Sequence, residues 1–133
     1  MIIRKDFEEV LERFREIEFH ETFDLIVAIA NGGIIPAAII NQRLDTEIKL
    51  LKINLRDPSQ KPRYDSPKLI SPIDFDFKDK TILLVEDRIK TGATVSYALK
   101  LLEGAKEIKT FAVNGNADYA LYNEDCFKFP WIL

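Results

Sequence analysis

"TILLVEDRIKTGATVSYALKLLEGAKE", residues 81–107, decides the fold. An apolar run ends in two adjacent carboxylates, Glu86 and Asp87, with Lys90 and a Thr91-Gly92 pair close behind. Apolar residues at helical spacing then recur from Thr94 until Gly104, a glycine placed to close a helix. "IKTFAVN", residues 108–114, follows as another short apolar strand. Working upstream, "DLIVAIA" (24–30) is nearly all apolar and β-branched, as in a strand covered on both faces of a parallel sheet. "NGG" breaks it, "IIPAAIINQRL" restarts as a helix with Pro36 tolerated in its first turn, and "EIKLLKINL" (47–55) is a further strand.

Strand, helix, strand, helix, strand with right-handed crossovers predicts an α/β fold, a doubly wound parallel sheet. Ile3, Phe7, Val10, Leu11, Phe14 and Ile17 place an amphipathic helix before it. Between residues 56 and 72 lie four prolines (Pro58, Pro62, Pro67, Pro72) and no steady period, which reads as a long surface loop. The stretch from Gly115 onward breaks the alternation and carries Tyr119, Tyr122, Phe127, Phe129 and Trp131.

The 133 residues, 47% hydrophobic and 31% charged, suit one domain spanning 1–133 with a single core. A formal charge of -3, and no basic patch among the aromatics, argue against a nucleic-acid partner. One cysteine, Cys126, leaves no intrachain disulfide and no Cys-based zinc site; it reads as a small half-buried residue. No stretch reaches the ~20 apolar residues of a membrane span and no signal-peptide core opens the chain, so the expectation is a cytoplasmic protein with no membrane partner.

In open α/β sheets, ligands bind beyond the carboxyl ends of the strands. Three of the five glycines, Gly32, Gly33 and Gly92, fall at two such ends. Thr91, Gly92, Ala93 and Thr94 lead into a helix whose first amides and hydroxyls could cradle a phosphate. Thr94 could equally serve as a plain helix cap. Glu86 and Asp87 follow "ILLV", where a carboxylate without a partner is costly. Carboxylates so placed can accept hydrogen bonds from vicinal hydroxyls or hold Mg²⁺ through water. Neither GxxxxGK[ST] nor a GxGxxG after a strand is present, which argues against a nucleoside triphosphate or dinucleotide site.

"ILLVEDRIKTGATV" resembles the phosphoribosyl-pyrophosphate (PRPP) signature of type I phosphoribosyltransferases: apolar strand, two acids, Thr-Gly, any residue, Thr or Ser. "DLIVAIANGGIIPA" resembles that family's pyrophosphate turn, and "FKFPWIL" is similar to the end of the bacterial and archaeal guanine, xanthine and hypoxanthine enzymes. Three motifs in the right order cover nearly the whole chain. The resemblance implies a type I phosphoribosyltransferase fold with a short C-terminal hood over about residues 115–133. It implies Mg²⁺-dependent transfer from PRPP to a purine, a 6-oxopurine in preference; a PRPP-binding regulator without turnover is the alternative. It assigns Glu86 and Asp87 to the ribose hydroxyls and Mg²⁺. Lys90, Thr91, Gly92, Ala93 and Thr94 fall to the 5′-phosphate, and Asn31, Gly32 and Gly33 to pyrophosphate. The base side would be Asn114, Trp131 and Ile132. Residues 56–72 would be the catalytic loop, with Arg56, Lys61, Arg63 and Tyr64 available to cover PRPP. Relatives are usually dimers or tetramers, so a homo-oligomer is expected.

Three positions depart from the 6-oxopurine pattern. Lys90 stands where those enzymes carry Asp before Thr-Gly, so the catalytic set read here is Glu86, Asp87 and Lys90. Asn31 replaces a basic residue before Gly-Gly. Asn114 or Asn116 stands where a Lys commonly reads O6.

Overall fold

The computed structural model describes residues 3–54 and 66–133. In chain order the elements are α1 (Phe7–Glu16), β1 (Leu25–Ala30), α2 (Ile34–Leu44), β2 (Glu47–Asn54), β3 (Lys68–Leu69), β4 (Thr81–Arg88), α3 (Ala93–Leu101), β5 (Glu107–Asn114) and β6 (Tyr119–Tyr122). The sheet has the order β3-β2-β1-β4-β5-β6. All neighbours run parallel except the short edge strand β3, which is antiparallel to β2.

All six residues of β1 and the first five of β4 are buried, as an apolar run covered on both faces requires. Alternation sorts their side chains. Ile26, Ala28, Leu83 and Val85 pack under α1 and α2 with Val10, Phe14, Ala37, Ile40 and Phe111. Leu25, Val27, Ile29, Ile82 and Leu84 pack on the other face, with Ala98 and Leu102 from α3 and its end. The doubly wound arrangement expected from the strand-helix alternation is therefore present. No helix among the described residues is long and apolar enough to cross a membrane.

Several boundaries differ from expectation. Helix α1 begins at Phe7, because the Asp6 side chain accepts the Glu8 N–H (3.1 Å) and caps it there. Ile3 and its neighbours instead run beside residue 128: Arg4 bridges Lys128, and the Lys128 N–H donates to the Ile3 carbonyl (2.8 Å). Helix α3 ends at Leu101, three residues before Gly104. The expected loop over 56–72 contains β3 at Lys68–Leu69, while residues 56–65, with Arg56, Lys61, Arg63 and Tyr64, lie outside the described residues. Residues 119–122 are a sheet strand, β6, not part of an irregular tail. Cys126 is exposed, not half-buried.

Candidate active site

Strands β1 and β4 are neighbours, with Ala28 opposite Val85. From β1 the chain crosses to β2 on one side; from β4 it crosses to β5 on the other. Their carboxyl ends therefore flank the sheet's topological switch point, where the divergence of the two crossovers opens a crevice. Both turns singled out in the sequence meet there.

The turn after β1 fits beneath the acid pair only because it is glycine. A Cβ on Gly32 would lie 2.6 Å from each Asp87 carboxylate oxygen, so the Asp87 head rests directly on the Gly32 backbone. On Gly33 it would lie 2.3 Å from the Val85 carbonyl oxygen, so this glycine lets α2 start against β4. The Ala30–Asn31 peptide is cis. The Gly33 N–H is taken by the Ile29 carbonyl (2.8 Å), while Asn31 projects exposed at the rim.

Strand β4 continues beyond the apolar run and through both acids to Arg88. Glu86 Oε1 accepts the Asp87 N–H (2.9 Å), and Asp87 Oδ1 accepts the Arg88 N–H (2.7 Å). Burial, then the negative charge of Asp87, push the Glu86 carboxyl well above the usual glutamate range; Arg88 opposes this in part. Two carboxylates in one crevice, one of them resisting ionisation, are a donor set that a divalent cation would relieve. Among the described residues no group of three or more His, Cys, Asp or Glu forms a protein cage. An ion held by one or two carboxylates, with the rest supplied by substrate and water, is the coordination Mg²⁺ prefers.

The next turn leads into α3. Gly92 precedes the helix in the left-handed region (φ 84°), which a side chain would disfavour. The Thr91 hydroxyl accepts the Ala93 N–H (3.2 Å). Thr94 is half-buried in the first helical turn, so the plain-cap reading of Thr94 does not hold: the cap position is Gly92 and no side chain caps it. The turn thus leaves helix-start amides and two hydroxyls beside an exposed Lys90, a setting suited to an anion.

The aromatic end closes the same side of the sheet. Trp131 is half-buried, stacked on Phe129 (centroids 5.2 Å, 15°) and edge-on to Phe7 (6.1 Å). Ile132 is 43% exposed, and its carbonyl accepts from Arg4 Nη1 (2.8 Å). Asn114 is buried at the end of β5. Its Nδ2 donates to the Glu124 and Asp125 carbonyls (3.2 and 3.4 Å) and its Oδ1 accepts the Glu124 N–H (3.0 Å). The amide expected to face a base is thus a strut for the 124–125 turn. Lys5 reinforces the region from below, pairing with Glu124 (2.8 Å) over the rings of Tyr122 and Phe127.

Arg88 joins the two halves and carries no sequence signal beyond being a cation after two acids. Its Nη2 donates to the Phe127 carbonyl (2.7 Å), its guanidinium lies over the Phe129 ring (4.6 Å), and among the described residues its buried Nε–H finds no hydrogen-bond partner.

The chain is similar to known proteins. Residues 3–129 match the phosphoribosyl transferase domain family. A ribose-phosphate pyrophosphokinase of Mycoplasma genitalium is 36% identical over 115 residues, 84% of this chain, which spans 31% of that relative's length. A xanthine-guanine phosphoribosyltransferase of Idiomarina loihiensis is 22% identical over 118 residues, covering 84% of this chain and 72% of its own. Among solved structures, a purine phosphoribosyltransferase from Pyrococcus horikoshii superposes with a TM-score of 0.74 at 27% identity, over 97% of this chain and 92% of that one.

Proposed function

This chain belongs to the phosphoribosyltransferase family, and on that premise we propose that it transfers the phosphoribosyl group of PRPP to a purine, with 6-oxopurines preferred. The observation that carries the reading is the seating of the Asp87 carboxylate on Gly32 at the switch point, which unites the acid pair with the Gly-Gly turn. Support for the acceptor comes from the two relatives whose names include a purine or xanthine-guanine substrate.

Glu86 and Asp87 hold the ribose 2′- and 3′-hydroxyls. Lys90 neutralises the 5′-phosphate, which sits on the start of α3 between Thr91 and Thr94, with Gly92 and Ala93 as backbone. Asn31 and Gly32 face the pyrophosphate, and Gly33, its N–H spent on the Ile29 carbonyl, shapes the turn behind them. A base nitrogen attacks ribose C1 as the bond from C1 to the pyrophosphate oxygen breaks, and the base N–H proton passes to solvent. Positive charge develops on the ribose, and the fixed carboxylates stabilise it without reorganising. Asp87 and Glu86 would hold Mg²⁺, which would supply charge neutralisation for the departing pyrophosphate. Trp131 and Ile132 bound the base, while Asn114 shapes that side by holding the 124–125 turn. One domain over 1–133, a dimer or tetramer and a cytoplasmic setting complete the proposal; exposed Ile34 and Ile35 on α2 offer apolar surface for self-association, which light scattering tests.

Incubating the protein with PRPP, Mg²⁺ and each of guanine, xanthine, hypoxanthine, adenine and orotate tests the function through pyrophosphate release. Release that depends on a purine supports it, and Asp87→Asn should abolish that release with the fold intact. Thermal stabilisation by PRPP with no release in any mixture would replace it by the regulator reading. Neither stabilisation nor release would end both.

A further inference from the structure

Reading a purine requires a group that recognises its edge, and Asn114 is spent on the 124–125 turn. Lys90 lies exposed beside the phosphate turn. Arg88 remains. It follows Asp87 at the end of β4, and its guanidinium reaches the 127–131 segment proposed to bound the base. Its guanidinium already lies over Phe129, which stacks on Trp131. One of its five N–H donors, Nε–H, is buried and unspent, and Nη2 holds the group in place through the Phe127 carbonyl. A buried donor without a partner is costly, and the cost vanishes when a ligand brings an acceptor. The edge of a 6-oxopurine offers two acceptors, O6 and N7, whereas adenine replaces O6 with an amino donor.

We propose that Arg88 is the specificity-determining residue of this site, presenting its unspent donor to the O6 and N7 edge of the base and so selecting 6-oxopurines over adenine. The proposal rests on the phosphoribosyl-transfer reading. It moves the base-reading cation from the fifth strand of the sheet to the strand that carries the acid pair.

Trp131 is the only tryptophan and lies within the same stack, so its fluorescence reports occupancy of the base side. Titration with inosine and adenosine monophosphates compares ligands that share ribose and phosphate and differ in the base edge. Wild-type protein should bind the inosine nucleotide more tightly. R88M, which keeps the stem and loses the donors, should weaken it by about 10- to 100-fold, the range for a hydrogen bond to a charged group, and weaken the adenosine nucleotide by less than about 3-fold. R88K keeps the charge without the planar fork and should lie between; if R88M does not fold, the fall in selectivity of R88K carries the test. Equal weakening of both nucleotides, as loss of the Phe127 contact alone would give, overturns the role of Arg88 and leaves phosphoribosyl transfer standing. Wild-type protein that responds to neither nucleotide nor to PRPP overturns both.

Discussion

Gly32→Ala asks whether the acid pair works from the position described. The backbone of Gly32 lies outside the left-handed region, so alanine meets only a steric problem: its Cβ would lie 2.6 Å from both Asp87 carboxylate oxygens and 2.7 Å from Cγ. Ordinary contact begins at 3.4 Å, so the carboxylate must retreat by about 0.8 Å. The retreat turns Asp87 off its rotamer, at about 0.5–1.5 kcal/mol, and weakens its bond to the Arg88 N–H, at about 0.5–1.5 kcal/mol. A total of about 1–3 kcal/mol lowers Tm by about 4–10 °C for 133 residues. Displacing a positioning group by nearly 1 Å costs about 100-fold in turnover. Thermal melts and pyrophosphate release measure the two effects on one sample. Gly33→Ala is the control, because its Cβ would strike backbone, the Val85 carbonyl at 2.3 Å, which a side-chain rotation cannot relieve; it should destabilise far more than Gly32→Ala. A folded Gly32→Ala protein within about 3-fold of wild-type turnover would refute the reasoning.

Glu86→Gln should stabilise the metal-free protein, and increasingly so with pH. The folded chain keeps the Glu86 proton above the ordinary value of 4.5, so wild-type stability falls as pH rises from there through the raised value, then levels off. A Tm difference between variant and wild type that stays constant from about pH 4 to 8 would contradict this. Asn114→Ala removes all three hydrogen bonds to the 124–125 turn and leaves the Glu124 N–H without its acceptor, so stability should drop by about 2–3 kcal/mol in denaturant melts. PRPP binding to that variant should change far less than nucleotide binding. Gly92→Ala meets no atom within 4 Å, so its loss of about 1–2 kcal/mol is purely the left-handed backbone penalty at φ +84°; an unchanged melt would place that turn differently.

What the sequence makes legible is local. The "ILLV" and "LIVAIA" runs, glycines at strand ends and adjacent acids are short-range patterns, and β1, β4 and the Gly-Gly turn fall where those patterns put them. Strand β6 is hidden for a physical reason. Parallel neighbours ordinarily need a crossover of a dozen or more residues, yet only residues 115–118 separate β5 from β6. Side-chain chemistry permits the short return: Asp118 Oδ2 accepts the Thr110 N–H (2.8 Å) and hydroxyl (3.0 Å), and the Asp118 N–H donates back to that hydroxyl (3.0 Å). Arg88 and Asn114 were opaque on a different ground. Their partners lie 39 and 10 positions away, and no periodicity encodes which carbonyl a guanidinium or an amide will find.

Arg4 reaches the Phe129 carbonyl 125 positions along the chain, and the Lys128 N–H returns to Ile3. A ribosome releases residues in order, so β1, β4 and the turns that follow them emerge before this clasp can shut. The turns proposed to grip sugar and phosphate thus emerge before the segment proposed to bound the base. Helix α1, although made before β1, waits for residue 128 before its leading segment is held. A nascent chain stalled before that point would carry both turns of the switch point and an α1 whose leading segment has nothing to anchor it.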